Sequence, residues 1–219
     1  DPVAMSLVYL FVLTVVRSYP NFESLFIGVS MFRIFQTSFK SGVNSVNDFS
    51  GGIVCERVRS KVLVSASIEF RILESTLQSS GIAVILLAFL DVDFIAVIAF
   101  IILSLLMGLL AEGVGLNLSR LVRRIPDFSN MVNYMLLLMF FASPVLYPMS
   151  MASGLHYRIN EFNPFTYFVE TIRFIADLES EITEFPELQI VAAMSFVIAL
   201  SARGFAQIDR LRWEVSSWS

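Results

Sequence analysis

Residues 94 to 118 form an apolar run whose single charge is Glu112. Nothing else in the chain constrains the fold as strongly. A helix of about 20 apolar residues, rising about 1.5 Å per residue, crosses the hydrocarbon layer of a bilayer, where free backbone groups are not tolerated. Hydrophobic residues make up 56% of the 219 positions, charged residues 16%, and the mean hydropathy is +0.74. A soluble domain carries about a quarter charged residues. The composition therefore excludes an ordinary soluble enzyme and a disordered tail, and a net charge of −4 argues against nucleic-acid binding.

Five further stretches are candidates for spans. The six are expected at about 3–16, 25–46, 70–90, 94–118, 131–147 and 188–203, giving one all-α, polytopic membrane domain over residues 1–219. The first is short and closed by Arg17; the chain opens Asp1-Pro2, not at methionine, and is read as a fragment. The second is interrupted by Arg33 and Lys40 and suits lipid poorly. The fifth ends at Ser143-Pro144, where the missing amide and the ring clash break a helix. Long connections fall at 48–66 and 148–187, the places where function concentrates.

Basic residues favour the cytoplasmic side of span ends. Ten of the fifteen fall in alternate connections: Arg57, Arg59, Lys61 and Arg71; then Arg120, Arg123 and Arg124; then Arg203, Arg210 and Arg212. The other connections carry most of the acids, including Asp91, Asp93, Glu161, Glu179 and Glu184. This alternation predicts six spans with both ends in the cytoplasm.

Chemistry is thin. Lys40 follows Phe39 and Lys61 follows Ser60, so neither lysine belongs to a phosphate-binding Gly-Lys-Ser/Thr loop, and no ATP site is expected. Cys55 and His156 are the only residues of their types, too few for a disulfide, a zinc site or a Cys/His catalytic pair. No catalytic residue, metal or cofactor is assigned. Transport or scaffolding remains.

Several patterns are candidates for transport. Ser104, Gly108, Ala111 and Gly115 place four small side chains on one helix face, suited to close helix packing inside the molecule or, less favoured, to a dimer seam. After Asn163-Pro164, the residues Phe165, Phe168, Ile172 and Ile175 oppose Thr166, Glu170, Arg173 and Asp177, which predicts an amphipathic helix lying at or partly entering the outer membrane surface. Tyr147, Tyr157, Phe162, Phe165, Tyr167 and Phe168 crowd the same level, as interface anchors or as rings lining an exit path for sugars. Arg33 and Lys40, seven residues apart, share a face and suit a pathway lining, with snorkelling an equal reading for Lys40. Arg71 and Glu74 pair at i, i+3.

Four segments in order carry a resemblance: Gly51-Gly-Ile-Val-Cys-Glu-Arg-Val-Arg-Ser-Lys-Val62, Arg124-Ile-Pro-Asp-Phe128, Ser143-Pro-Val-Leu-Tyr-Pro148, and Asn163-Pro-Phe165 followed by Glu170 and Arg173. Together they resemble the membrane subunits of ABC-2 (type V) exporters, and within them the capsular polysaccharide export permeases, relatives of the O-antigen and teichoic-acid permeases. The resemblance implies a homodimeric permease in the bacterial inner membrane, driven by two ATPase subunits that bind ATP and Mg, with periplasmic export components as further partners and a polysaccharide or glycolipid as cargo. It also implies a coupling loop at 48–66, with Glu56, Arg57, Arg59 and Lys61 facing the ATPase, and re-entrant helices within 148–187. An amphipathic cytoplasmic helix preceding the first span in such permeases has no counterpart in the sequence. A proton-coupled carrier using Glu74 and Glu112, or a membrane scaffold, are the alternatives.

Overall fold

The computed structural model describes residues 22–49, 60–89, 92–125 and 127–208, together with the isolated positions Val8 and Phe11. Five long or medium helices dominate: α1 (Phe22–Phe49), α2 (Ser60–Phe89), α3 (Phe94–Leu116), α5 (Phe128–Ala142) and α8 (Glu187–Ala206). A short α4 (Ser119–Arg124) links α3 to α5, and α6 (Gly154–Glu161) and α7 (Pro164–Ile175) form a hairpin between α5 and α8. Helices account for all regular structure among the described residues.

Of the five long or medium helices, the one with the most polar sequence sits at the centre. α1 packs chiefly on α3, and Leu25, Phe26, Ile27, Met31, Ile34 and Val43 along it are buried. Its serines at 24, 30, 38 and 45 are buried too, small enough to let neighbouring helices close in. α1 and α3 cross closely at Gly42 and Gly115: a Cβ on Gly115 would run into the Phe39 carbonyl and reach 3.0 Å from the Val43 nitrogen.

Among the described residues, three helical segments are long and apolar enough to cross a membrane: Ile68–Ala88, Phe94–Leu116 and Glu187–Ala206. α1 is long enough at 28 residues but is shielded by protein, while α5 is apolar and short. The expected span at 3–16 lies outside the described residues except for the exposed Val8 and Phe11.

Four boundaries differ clearly from the sequence expectation. α1 extends to Phe49 and α2 begins at Ser60, so only residues 50–59 of the expected 48–66 loop separate them, and these lie outside the described residues. The helix expected over 131–147 starts at Phe128 and stops at Ala142, because Ser143 turns to an extended conformation ahead of Pro144. At 15 residues it is about 22 Å long, short of the roughly 30 Å hydrocarbon layer. After it the chain continues as irregular backbone from Ser143 to Pro148.

Candidate functional site

Irregular backbone at membrane depth survives only where protein supplies hydrogen bonds. The break after α5 meets that demand from both helices of the following hairpin. The Ala142 carbonyl, orphaned at the helix end, accepts from Asn160 Nδ2 at 2.7 Å and from the Tyr147 hydroxyl at 3.2 Å, with His156 Nε2 at 2.7 Å. The lone histidine is thus part of a helix cap, and its Nε2 lies 2.6 Å from the Tyr147 hydroxyl. Asn163 caps the start of α7, its Oδ1 accepting from the Phe165 amide at 3.1 Å, and its Nδ2 donates to Ser143 Oγ at 2.9 Å.

Arg173 closes the structure from the other side. Its guanidinium is fully buried: Nη1 donates to the carbonyls of Pro144 (2.8 Å) and Tyr147 (3.2 Å) and to Glu170 Oε1 (2.8 Å), and Nη2 to the carbonyls of Val145 (3.4 Å) and Ser24 (3.3 Å). Glu170, equally buried, accepts from the amides of Met149 at 3.4 Å and Glu181 at 3.1 Å. One ion pair therefore joins α1, the break, α7 and the segment after it. Gly28 makes this approach feasible, since a Cβ there would strike the Val145 carbonyl.

The sequence pattern sets Thr166, Glu170, Arg173 and Asp177 opposite the apolar face of a helix lying at or partly entering the outer membrane surface. Thr166, Glu170 and Arg173 are instead buried, and Asp177 lies beyond the helix with φ of 55°. Both faces of α7 are covered because the broken segment needs the polar side as a hydrogen-bond partner.

The expected outer aromatics divide. Phe165 packs edge-on to Phe32 with centroids 5.5 Å apart, Phe168 is buried in the same core, and Tyr167 packs on Phe185 while its hydroxyl donates to the Glu161 carbonyl. Phe162 is 65% exposed. An apolar cavity of about 320 Å³ lies between Phe35, Phe39, Met107, Met139, Phe165 and Phe168. On α6, burial and the carboxylates of Glu181 and Glu161 push the Tyr157 phenol up to about 12, and beyond the hairpin burial with Glu184 nearby raises Glu181.

Arg33 and Lys40 are half-buried on one side of α1, and the same side carries Gln36, Thr37, Ser41 and Asn44, all half-buried. Arg33 donates to Gln36 at 3.1 Å. Beside Arg33 and Gln36, a recess of about 280 Å³ opens toward Asn133 and Tyr134 of α5. The sequence reading picked out the two cations only; the 3-and-4 spacing of Gln36, Thr37, Ser41 and Asn44 was the signal for the rest of the stripe. Ser104, Gly108, Ala111 and Gly115 are all buried, with Gly108 against Ser75 and Ser38 and Gly115 against α1. Of the residues expected to face the ATPase, Glu56, Arg57 and Arg59 lie outside the described residues and Lys61 falls in the first turn of α2. Glu74 and Glu112 both pair with the buried Arg71, at 2.5 and 3.1 Å. No cluster of metal-ligating side chains occurs among the described residues.

The family model for ABC-2 type transporters matches residues 2–176. The chain belongs to the ABC-2 type transporter family. The match runs through the break and the α6–α7 hairpin and ends just past α7. No curated protein matches the chain. As an ABC-2 protein it is the membrane component of an ABC exporter, a multi-pass permease that pairs with ABC ATPase subunits and is not itself the catalyst.

Proposed function

We propose that this ABC-2 permease moves a lipid-linked capsular or surface polysaccharide across the bacterial inner membrane, as a homodimer energised by two ATPase subunits. The observation that carries this reading is the stripe on α1. Two cations, two amides and two hydroxyl groups line one side of the central helix at membrane depth, next to a recess that adds Asn133 and Tyr134. Side chains of this kind avoid lipid and serve a water-filled path. They offer many weak donors to a hydroxyl-rich polymer, which must bind loosely enough to slide. The secondary-carrier alternative loses support because Glu74 and Glu112 are both tied to Arg71.

ATP binding draws the partner ATPases together. The loop holding Glu56, Arg57, Arg59 and Lys61 passes that movement to the helices, and the two permease copies separate around the polymer. The hairpin at 148–187 closes the outer end, and periplasmic components receive the product.

The test is ATP-dependent export in vesicles holding the permease and its ATPase, with glycolipid, teichoic acid, phospholipid and a lipophilic drug as parallel cargoes. Glycolipid export that falls about ten-fold in an Arg33→Gln/Lys40→Gln variant with intact ATPase assembly supports the reading. Export of another cargo alone, or export indifferent to the two cations, overturns it.

A further inference from the structure

α2 is built as a lever. It is a single helix of 30 residues whose apolar span begins only at Ile68, so its first eight residues extend about 12 Å beyond the span toward the 50–59 connection. Much of its length is exposed, Phe70, Leu73, Leu77 and Val84 among its outward side chains, and it packs mainly on α3. Its one buried charge among the described residues is Arg71, 2% exposed, at the cytoplasmic end of the span by the charge pattern.

Arg71 Nε donates to Glu112 Oε2 of α3 at 3.1 Å, and Arg71 Nη1 donates to Glu74 at 2.5 Å. Glu112 is itself a junction. Its carboxylate holds α2, while its backbone carbonyl lies so close to Gly42 of α1 that a Cβ on Gly42 would collide with it. One turn away Gly108 faces Ser75 of α2 and Ser38 of α1, a small-residue contact about which the helices can pivot. Gly42 follows Lys40 by two residues, so movement of Glu112 is felt at the end of the polar stripe.

We infer that Arg71–Glu112 is the link by which displacement of the ATPase-docking loop is passed from α2 through α3 to α1, making both residues positioning residues for transport. The inference rests on the ATP-driven reading above. An ion pair is suited to the task because it resists separation in a low-dielectric surrounding, where slippage of apolar surfaces would cost little. The second carboxylate gives the clean test. In Glu112→Gln, Arg71 keeps Glu74, so no buried cation is orphaned and the fold survives, but the charged link between helices is lost.

The measurement is made on the permease–ATPase complex with a reporter cysteine at Asn44, comparing its reaction with a water-soluble maleimide with and without ATP, alongside ATP hydrolysis. The natural Cys55 is replaced by Ser in every sample. In the parent complex ATP changes the labelling rate. Glu112→Gln, with hydrolysis retained, is expected to reduce that response about ten-fold, and Glu112→Asp to restore part of it. An undiminished response in Glu112→Gln overturns the link, as does failure of that variant to assemble while Glu112→Asp assembles and responds normally, which assigns the pair to folding alone. A parent complex with no nucleotide response instead defeats the ATP-driven reading, separately from the link.

Discussion

Arg173 Nη2 donates to the carbonyl of Ser24, 149 residues earlier, at 3.3 Å. That bond fastens the hairpin after α5 to the start of the central helix, and the same guanidinium holds the broken segment through Pro144, Val145 and Tyr147. One side chain thus ties the break and its hairpin to the central helix.

Replacing Arg173 with Met removes donors from four carbonyls and leaves Glu170 as an unpaired buried carboxylate. The expected cost is about 3–5 kcal/mol. The loss should appear as a lower unfolding midpoint in detergent and as faster proteolysis at 143–152. A change under about 1 kcal/mol, the scale of exposed pairs, contradicts the clamp.

Gly115→Ala should destabilise by about 1–3 kcal/mol, since the new methyl meets the main chain of α1, which cannot rotate away. Gly81→Ala is the internal control. Nothing lies within 4 Å of its added Cβ, and the gain in helix propensity should stabilise by about 0.5–1 kcal/mol. Chemical unfolding followed by circular dichroism separates the two signs.

These contrasts show what could be read before the fold was known. α3 was legible because its apolar run, interrupted only by Glu112, admits one interpretation, and its small-residue face announced a close partner without naming it. The break at Ser143-Pro144 was legible as well, because proline chemistry is local. The fate of the freed carbonyls was not, since their donors sit on α6 and α7 and come near only after the hairpin folds back. Glu170 and Arg173 were visible as a pair of polar residues at i, i+3, but polar stripes usually face water. The pairing of Arg71 with Glu112 depends on how α2 and α3 cross, which spacing within one helix cannot reveal. The extra first turns of α2 were hidden by mixed composition at 60–67, where hydropathy alone sees a loop.

Tyr157 provides a pH signature. Its phenol is pushed up from 10.0 to about 12, so the folded state keeps a proton that the unfolded state gives up. Stability from this group is fully present below pH 10 and falls as pH rises from 10 to 12. Absorbance titration should show Tyr157 ionising late among the six tyrosines, with Tyr167 also delayed by burial and the nearby Glu161 carboxylate, and Tyr157→Phe should reduce that late step together with its share of the alkaline loss of stability. The raised Glu181 works in the same direction at lower pH, losing its contribution as its carboxyl ionises.

The α1 stripe makes a prediction that does not depend on cargo identity. If Thr37 and Asn44 border a water-filled path, cysteines placed there should react with a membrane-impermeant maleimide far faster than cysteines at Val84 or Leu87, which are exposed on α2 toward lipid. Thiolate formation needs water, so a hydrocarbon-facing cysteine is nearly inert. A rate ratio of about ten or more is expected. Equal, slow labelling at all four positions would mean that the stripe is sealed by protein, and the route for a polar polymer would have to lie elsewhere.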